Sequence, residues 1–226
     1  MAESRAITAE HPGREREETA RVVMGGSSVE SLGGIGAMAL AILAIVGVLP
    51  FYLASIATIA AGAALLVEGG AVAARFSELR FETASRESVQ LAELGGGMTT
   101  EMLGGIAGVA LGILALVGVA PLTLLSIAVL GFGGTLLIGS GLTARLNNVI
   151  LHSWSGDERH REIAREAVRT AAGAKVLVGI GSTTLGILAL TGVSPLVLSQ
   201  AALIGIGATI LFGGSSLAGR MSTLLS

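Results

Sequence analysis

Three long runs of this sequence contain no charged residue. Lys, Arg, Asp and Glu are absent between residues 33 and 67, 103 and 144, and 176 and 219. Each run is long enough for two apolar helices. Hydrophobic residues make up 52% of the 226-residue chain and charged residues 13%, which is too few charges to cover a water-soluble fold. The sequence therefore predicts an all-α membrane protein.

Each run carries one copy of a helical hairpin whose turn reads Gly-Val-x-Pro. Gly permits the tight backbone of the turn. Pro suits the first turn of the next helix, because a backbone N–H at that position would have no partner within the helix. The predicted turns lie at Gly47 and Pro50, Gly118 and Pro121, and Gly192 and Pro195. The same register three times predicts an internal triplication.

Small residues recur at four-residue spacing in the first helix of each hairpin, which places them on one helix face. Such faces let membrane helices approach each other closely. The predicted packing positions are Gly33, Ala37, Ala41, Gly104, Gly108, Gly112, Ser182 and Gly186 in the first helices, and Gly62, Gly133 and Gly207 in the second helices.

We predict a polytopic protein with six transmembrane helices, arranged as three tandem hairpin repeats joined by amphipathic cytosolic helices. The predicted division is a polar, partly helical N-terminal arm over residues 1–30, hairpins over 31–75, 101–146 and 175–226, and amphipathic linkers over 76–100 and 147–174. Because the linkers carry Arg residues, the positive-inside rule predicts that both termini lie in the cytosol. A re-entrant geometry, with hairpins entering and leaving one leaflet, stays open.

The second linker has the pattern of an amphipathic helix. Ser155 and Glu158 have the spacing of a capping box, and Arg161, Arg165 and Arg169 follow along one side, interleaved with Glu. This side is interpreted either as a docking face for a partner or the membrane surface, or as a solvated connector. The glycines of residues 95–97 are expected to form a flexible hinge before the second hairpin.

The sequence contains no pattern typical of catalysis. The chain has no Cys, and its three His lie outside the hairpins, so we expect no catalytic residue, no metal and no cofactor. His160 with Glu162 and Glu166 is a metal-site alternative, but His160 and Glu162 point to different sides of a helix. A net charge of −2 also makes nucleic acid an unexpected partner.

Two polar features within the hairpins leave alternatives open. Glu68 is expected to be an ordinary interfacial carboxylate, the alternative being an ion or partner contact at the cytosolic rim. Ser55, Ser126 and Gln200 each lie five residues after a turn Pro. They are interpreted either as a polar path or, more simply, as side chains that bond to their own helix or to a neighbouring helix.

The repeats resemble the bacterial short-repeat membrane family typified by the HdeD acid-resistance protein. The second repeat carries this likeness in Gly108, Leu111 to Leu116, Pro121, Gly133, Leu136 and Leu137, and the third in Leu185 to Leu190, Pro195, Gly207 and Leu211. The resemblance implies a six-helix inner-membrane protein linked to stress or acid tolerance, without a defined reaction or active site.

The expected function is that of a non-enzymatic membrane scaffold or stress-related membrane protein that packs or self-associates through its Gly-rich helix faces. The expected partners are the lipid bilayer and either further copies of the chain or a cytosolic protein. A channel or transporter for a small or apolar solute is one alternative. A membrane anchor subunit for a cytosolic enzyme is another.

Overall fold

The fold is all-α, as the sequence predicts. The computed structural model describes the backbone of residues 30–82, 88–153 and 158–222, and the side chains of residues 30–70, 100–140, 170 and 172–213. The described helices are α1 (Glu30–Ile45), α2 (Pro50–Glu82), α3 (Ser88–Leu116), α4 (Pro121–Ser153), α5 (Glu158–Leu190) and α6 (Pro195–Ser222). The predicted N-terminal arm lies outside these residues, except for Glu30.

The charged linkers differ from the predicted separate helices. Their described residues are the continuous ends of α2, α3, α4 and α5, and residues 95–97 lie inside α3 rather than in a hinge. The physical reason is the distribution of Pro, which is the strongest helix breaker. All but one of the four prolines are at hairpin turns, so no residue in these segments forces a helix to end.

The three hairpin turns share one backbone conformation. Gly47, Gly118 and Gly192 have φ values of 96°, 94° and 90°, in the left-handed region that Gly adopts most easily. In the first turn, Gly47 N–H donates to the Ala44 carbonyl and Val48 N–H donates to the Leu43 carbonyl, both at 3.1 Å. This pattern is the Schellman motif that ends many helices. The equivalent bonds recur in the other two turns.

The second helices of the hairpins lie at the centre of the bundle, where α2, α4 and α6 all contact one another. The first helices, α1, α3 and α5, pack around them. Each crosses the second helix of a neighbouring hairpin at a pair of glycines. A Cβ at Gly62 would lie 2.8 Å from the Gly105 carbonyl oxygen, and a Cβ at Gly133 would lie 2.9 Å from that of Gly179.

The third glycine crossing closes the ring of hairpins. A Cβ at Gly207 in α6 would lie 2.8 Å from the Gly34 carbonyl oxygen in α1, so the last hairpin packs on the first. Real Cβ atoms do not tolerate such a distance to backbone, so these helices approach as closely as they do because both residues lack a side chain. The three hairpins therefore form one closed, pseudo-threefold bundle.

The bundle axis is filled by apolar side chains from all three central helices. The largest are fully buried and belong to one cluster: Leu65, Val129, Phe132, Leu136, Leu203, Ile206 and Ile210. The Phe132 ring occupies the space that a Cβ at Gly108 would fill. Large and small residues thus complement each other within the second hairpin.

The outer surface of the bundle is apolar in the same way on all three sides. Four positions of α1, α3 and α5 carry an identical exposed residue in every repeat. This outer apolar belt comprises Leu32, Leu103 and Leu177; Ile35, Ile106 and Ile180; Ile42, Ile113 and Ile187; and Leu43, Leu114 and Leu188. A continuous apolar surface of this kind is typical of contact with lipid rather than water.

Four of the described segments are long and apolar enough to cross a bilayer. They are Pro50–Gly70, Pro121–Ser140, Ala172–Leu190 and Pro195–Gly213. Two further apolar segments, Glu30–Ile45 and Thr100–Leu116, are shorter. These segments and the outer apolar belt identify the chain as a membrane protein.

Candidate functional site: a buried carboxylate–lysine cluster

Four ionisable side chains meet inside the bundle at the end opposite the hairpin turns. Glu30, Glu101 and Lys175 each lie 20 residues before a turn Pro, and Glu68 lies 18 residues after one. They belong to α1, α3, α5 and α2 respectively. Because the first three occupy the same repeat position, the pseudo-threefold arrangement of the hairpins brings them to the same level. We refer to these four residues as the charge cluster.

Lys175 holds the charge cluster together. Its Nζ donates a hydrogen bond to Glu68 Oε1 and lies 3.6 Å from Glu101 Oε1. The side chains of Lys175, Glu68 and Glu101 are only 12%, 11% and 6% exposed, and Glu30 is equally well buried. The ammonium group is also attracted by the charge of Glu30. One cation therefore contacts carboxylates from two other helices, α2 and α3, and charge-assisted bonds of this kind are stronger than neutral ones.

Two glycines make room for the carboxylates. Gly139 in α4 and Gly213 in α6 occupy the repeat position of Glu68. A Cβ at Gly139 would overlap the Glu101 carboxylate, and one at Gly213 would lie 2.9 Å from Glu30 Oε1 and 3.8 Å from Glu68 Oε1. The absence of a side chain at these two positions thus shapes the space in which the charge cluster lies.

The charge cluster lies close to the boundary of the apolar part of the bundle. Glu68 is 18 residues from Pro50, which corresponds to about 27 Å along α2. The hydrocarbon core of a bilayer is about 30 Å thick. Glu68 Oε2 is nevertheless buried and has no hydrogen-bond partner among the described residues.

The charge cluster corrects one expectation from the sequence. Glu68 is buried and ion-paired rather than an ordinary interfacial carboxylate. A signal in the sequence that indicates this arrangement is the position of the three repeat-equivalent charged residues relative to the small-residue faces. They stand three residues before Gly33, Gly104 and Val178, a spacing that keeps a side chain on the same face of a helix.

A second polar layer lies near the hairpin turns. Ser55 Oγ and Ser126 Oγ donate to the Phe51 and Leu122 carbonyls of their own helices, both at 2.8 Å. Ser126 Oγ also lies 3.5 Å from Ser199 Oγ, and Gln200 Nε2 donates to the Pro50 carbonyl at 3.4 Å. Ser55, Ser126 and Gln200, the residues of the polar-path hypothesis, are all buried.

Apolar packing separates this polar layer from the charge cluster. On α2, Ser55 and Glu68 are 13 residues apart, or about 20 Å. Between these levels lie buried side chains of the apolar cluster that fills the bundle axis, including Ala57, Ala61 and Phe132. The buried threonines of this region donate to carbonyls of their own helices.

The predicted small-residue faces pack within the chain. Gly33 faces Ala64 of its own hairpin, Gly104 faces Thr135 and Gly108 faces Phe132. Gly112 and Gly186 contact the second helix of the preceding hairpin, at Ile59 and Leu130 respectively. Ala37, Ala41 and Ser182 are buried, and Gly62, Gly133 and Gly207 form the glycine crossings. These faces are thus occupied by the contacts that hold the three hairpins together.

Two sequence hypotheses concern side chains outside the described set. The backbone of Arg161, Arg165 and Arg169 is part of α5, but the side chains of the predicted docking face lie outside the described residues. The same holds for His160, Glu162 and Glu166. Among the described side chains, no group of three acidic, His or Cys residues is arranged to hold a metal ion.

Comparisons with known proteins give no relative of this chain. It matches no family model, no curated protein and no solved structure.

Proposed function

We propose that the chain crosses the membrane six times, with the turns on the outer side and both termini in the cytosol. The outer apolar belt supports this topology because its residues also lie on α1 and α3, the two helices whose apolar segments are shorter. The distance of about 27 Å from turn to charge cluster fits one bilayer core. The turns carry no charge, which eases their translocation, whereas the Arg-bearing segments satisfy the positive-inside rule.

The function that the geometry supports best is a non-enzymatic membrane scaffold. The observation that carries this proposal is the continuation of α2, α3, α4 and α5 past their apolar segments. All four extensions lie on the side away from the turns. That of α5, from Glu158 to Ala172, is about 21 Å long. Helices that are anchored in a rigid bundle and carry charges on their protruding ends suit the binding of a cytosolic protein.

Two observations favour this proposal over the other expected functions. Self-association through the Gly-rich faces is disfavoured because those faces pack inside one chain. A channel along the axis is disfavoured because buried Leu, Ile and Phe side chains fill it. The anchor-subunit alternative is the same proposal with an enzyme as the partner, and the resemblance to HdeD-type repeats adds the expectation of a stress-related role.

The topology is tested by labelling single cysteines with a membrane-impermeant thiol reagent. The chain has no Cys of its own, so Val48→Cys, Val119→Cys and Val193→Cys report on the three turns and Ser155→Cys on a linker. We expect the turn variants to react in right-side-out vesicles and Ser155→Cys to react in inverted vesicles. Reaction of all four variants from the same side would favour re-entrant hairpins.

The scaffold proposal is tested by cross-linking in native membranes followed by purification. A partner bound in fixed stoichiometry should be retained by the wild type and lost in the Arg161→Ala/Arg165→Ala/Arg169→Ala variant. Arg75→Ala, in the α2 extension, serves as the matched control and should keep the partner. A chain that purifies alone under all conditions, or a partner that the triple variant keeps, would contradict a docking role for α5.

A further inference from the structure

The three contacts between neighbouring hairpins have the same register. We call them the interhairpin seams: α2 with α3, α4 with α5, and α6 with α1. In each seam a Cβ at a glycine of the second helix would lie close to one backbone nitrogen of the first helix. The distances are 2.8 Å for Gly62 and Val109, 2.6 Å for Gly133 and Thr183, and 2.9 Å for Gly207 and Met38. These pairs occupy equivalent repeat positions, so what holds for one seam indicates the geometry of the others.

Two of the seams continue beyond the apolar part of the bundle. Seven residues after Gly62, a Cβ at Gly69 would lie 3.1 Å from the nitrogen of Met102, which is seven residues before Val109. The two helices of this seam are therefore antiparallel, and a step along one matches an equal step along the other. Residues 83–87 join the end of α2 to the start of α3, and four residues likewise join α4 to α5. Linkers this short hold the ends of two antiparallel helices together.

The third seam has no such linker. Its second helix, α6, continues to Ser222, nine residues beyond Gly213, or about 14 Å. In the shared register, the residues that face this end of α6 are those immediately before Glu30. Residues 1–29 are more than enough to reach its end. The chain thus contains a segment of suitable length at the position where α3 and α5 cover the other two seams.

The sequence before Glu30 permits a helix. No Pro occurs between Pro12 and Pro50, so no residue forces α1 to begin at Glu30. The glycines of residues 25–26 occupy the repeat positions of residues 96–97, which lie inside α3. A pair of glycines at this place is therefore compatible with a continuous helix in this fold.

We propose that residues 14–29 continue α1 as a helix and pack against the end of α6, in the register of the other two seams. The N-terminal segment is then a clasp on the one seam that no linker ties. The contact is rich in small residues, because residues 25–28 and 213–216 both read Gly-Gly-Ser-Ser, and small residues let two helices approach closely. The shared register also pairs Met24 with Met221. With the end of α6 covered in this way, a cytosolic partner would bind the other two pairs of protruding helices.

Disulfide cross-linking of the full-length chain in native membranes tests this contact. The chain has no Cys of its own, so Met24→Cys/Met221→Cys reports on the proposed clasp. Phe76→Cys/Gly95→Cys, at the same repeat positions of α2 and α3, is the positive control. Under mild oxidation both pairs should form an intramolecular disulfide to a similar extent. Val22→Cys/Met221→Cys is the negative control and should remain reduced, because Val22 lies about 200° around a helix from Met24.

Hydrogen exchange provides a test without substitutions. The backbone amides of residues 214–222 should be protected in the full-length chain, and removal of residues 2–24 should cause a loss of this protection. Removal of residues 2–11 is the matched control and should leave the protection unchanged.

Three results would overturn the proposal. One is an end of α6 that is unprotected in the full-length chain, or equally protected after removal of residues 2–24. The second is a Met24→Cys/Met221→Cys pair that remains reduced while Phe76→Cys/Gly95→Cys is joined. The third is cross-linking only between two chains, because the clasp acts within one chain. The exchange of the unmodified chain decides the matter even if a cysteine variant fails to fold.

Discussion

Lys175 in the third hairpin donates a hydrogen bond to Glu68 in the first, across 107 residues of sequence. This contact joins α5 to α2, two helices that belong to different repeats and are not neighbours in the chain. It therefore links the beginning and the end of the bundle, at the level where the apolar segments give way to the charged extensions.

Replacement of Lys175 by Met should destabilise the bundle. Met keeps the approximate length of the side chain but leaves the buried carboxylates of Glu68 and Glu101 without the cation that they contact. Removal of one partner from a buried ion pair typically costs about 3 to 5 kcal/mol. Chemical unfolding in mixed micelles measures this loss. Addition of Glu68→Gln to Lys175→Met should recover part of the stability, and unchanged unfolding of the single variant would contradict a structural role for the pair.

Adjacent glycines of α4 provide a matched test of the helix crossings. A Cβ at Gly133 would lie 2.6 Å from Thr183 N and 2.9 Å from the Gly179 carbonyl oxygen, whereas a Cβ at Gly134 would meet no atom within 4 Å. Gly133→Ala should therefore destabilise the protein by about 1 to 3 kcal/mol. Gly134→Ala should stabilise it by up to about 1 kcal/mol through helix propensity. Equal effects of the two substitutions in thermal unfolding would disprove the close crossing.

The hairpin turns should be sensitive to a side chain at their left-handed Gly. Gly118 has a φ of 94°, which a residue with a Cβ adopts only with strain. We expect Gly118→Ala to lower the free energy of unfolding by about 1 to 2 kcal/mol. Gly131→Ala, at a helical position where a Cβ meets no neighbour within 4 Å, is the control. A Gly118→Ala protein as stable as this control would contradict the turn geometry.

A disulfide can test the contact between the central helices. Ser126 in α4 and Ser199 in α6 are buried, with their Oγ atoms 3.5 Å apart. Because Cys is close to Ser in shape, Ser126→Cys/Ser199→Cys should form an intramolecular disulfide under mild oxidation. Faster migration in non-reducing electrophoresis reports the bond. Cross-linked dimers, or two thiols that remain free, would contradict the packing of α4 on α6.

The sequence predicts the local features of this fold well. Helix type and turn position follow from apolar runs and from the Gly and Pro of each repeat, because these signals act within a few residues. The closure of α1 on α6 depends on a contact between Gly34 and Gly207, and nothing in their local sequence selects this pairing. Such long-range contacts depend on how three similar hairpins pack together.

The candidate site was harder to predict for a related reason. Glu101 and Lys175 are the first residues of the second and third predicted hairpins, where they border the polar linkers, so the division of the sequence does not indicate that they are buried. Their burial follows from the continuation of α3 and α5 through those linkers, and Gly139 leaves room for the Glu101 carboxylate. The repeat position that they share with Glu30 is visible in the sequence, but its meaning depends on the pseudo-threefold bundle.

Exchange of the charges of Glu68 and Lys175 tests the central contact of this bundle most directly. Glu68→Lys and Lys175→Glu should each destabilise the protein strongly, because each places like charges together in a buried cluster. The double variant Glu68→Lys/Lys175→Glu restores an opposite pair without changing the net charge. Its unfolding midpoint should recover part of the stability that the single variants lose, because the carboxylate at position 175 would still lie near Glu101. A double variant as unstable as the sum of the two single effects would show that these residues do not meet.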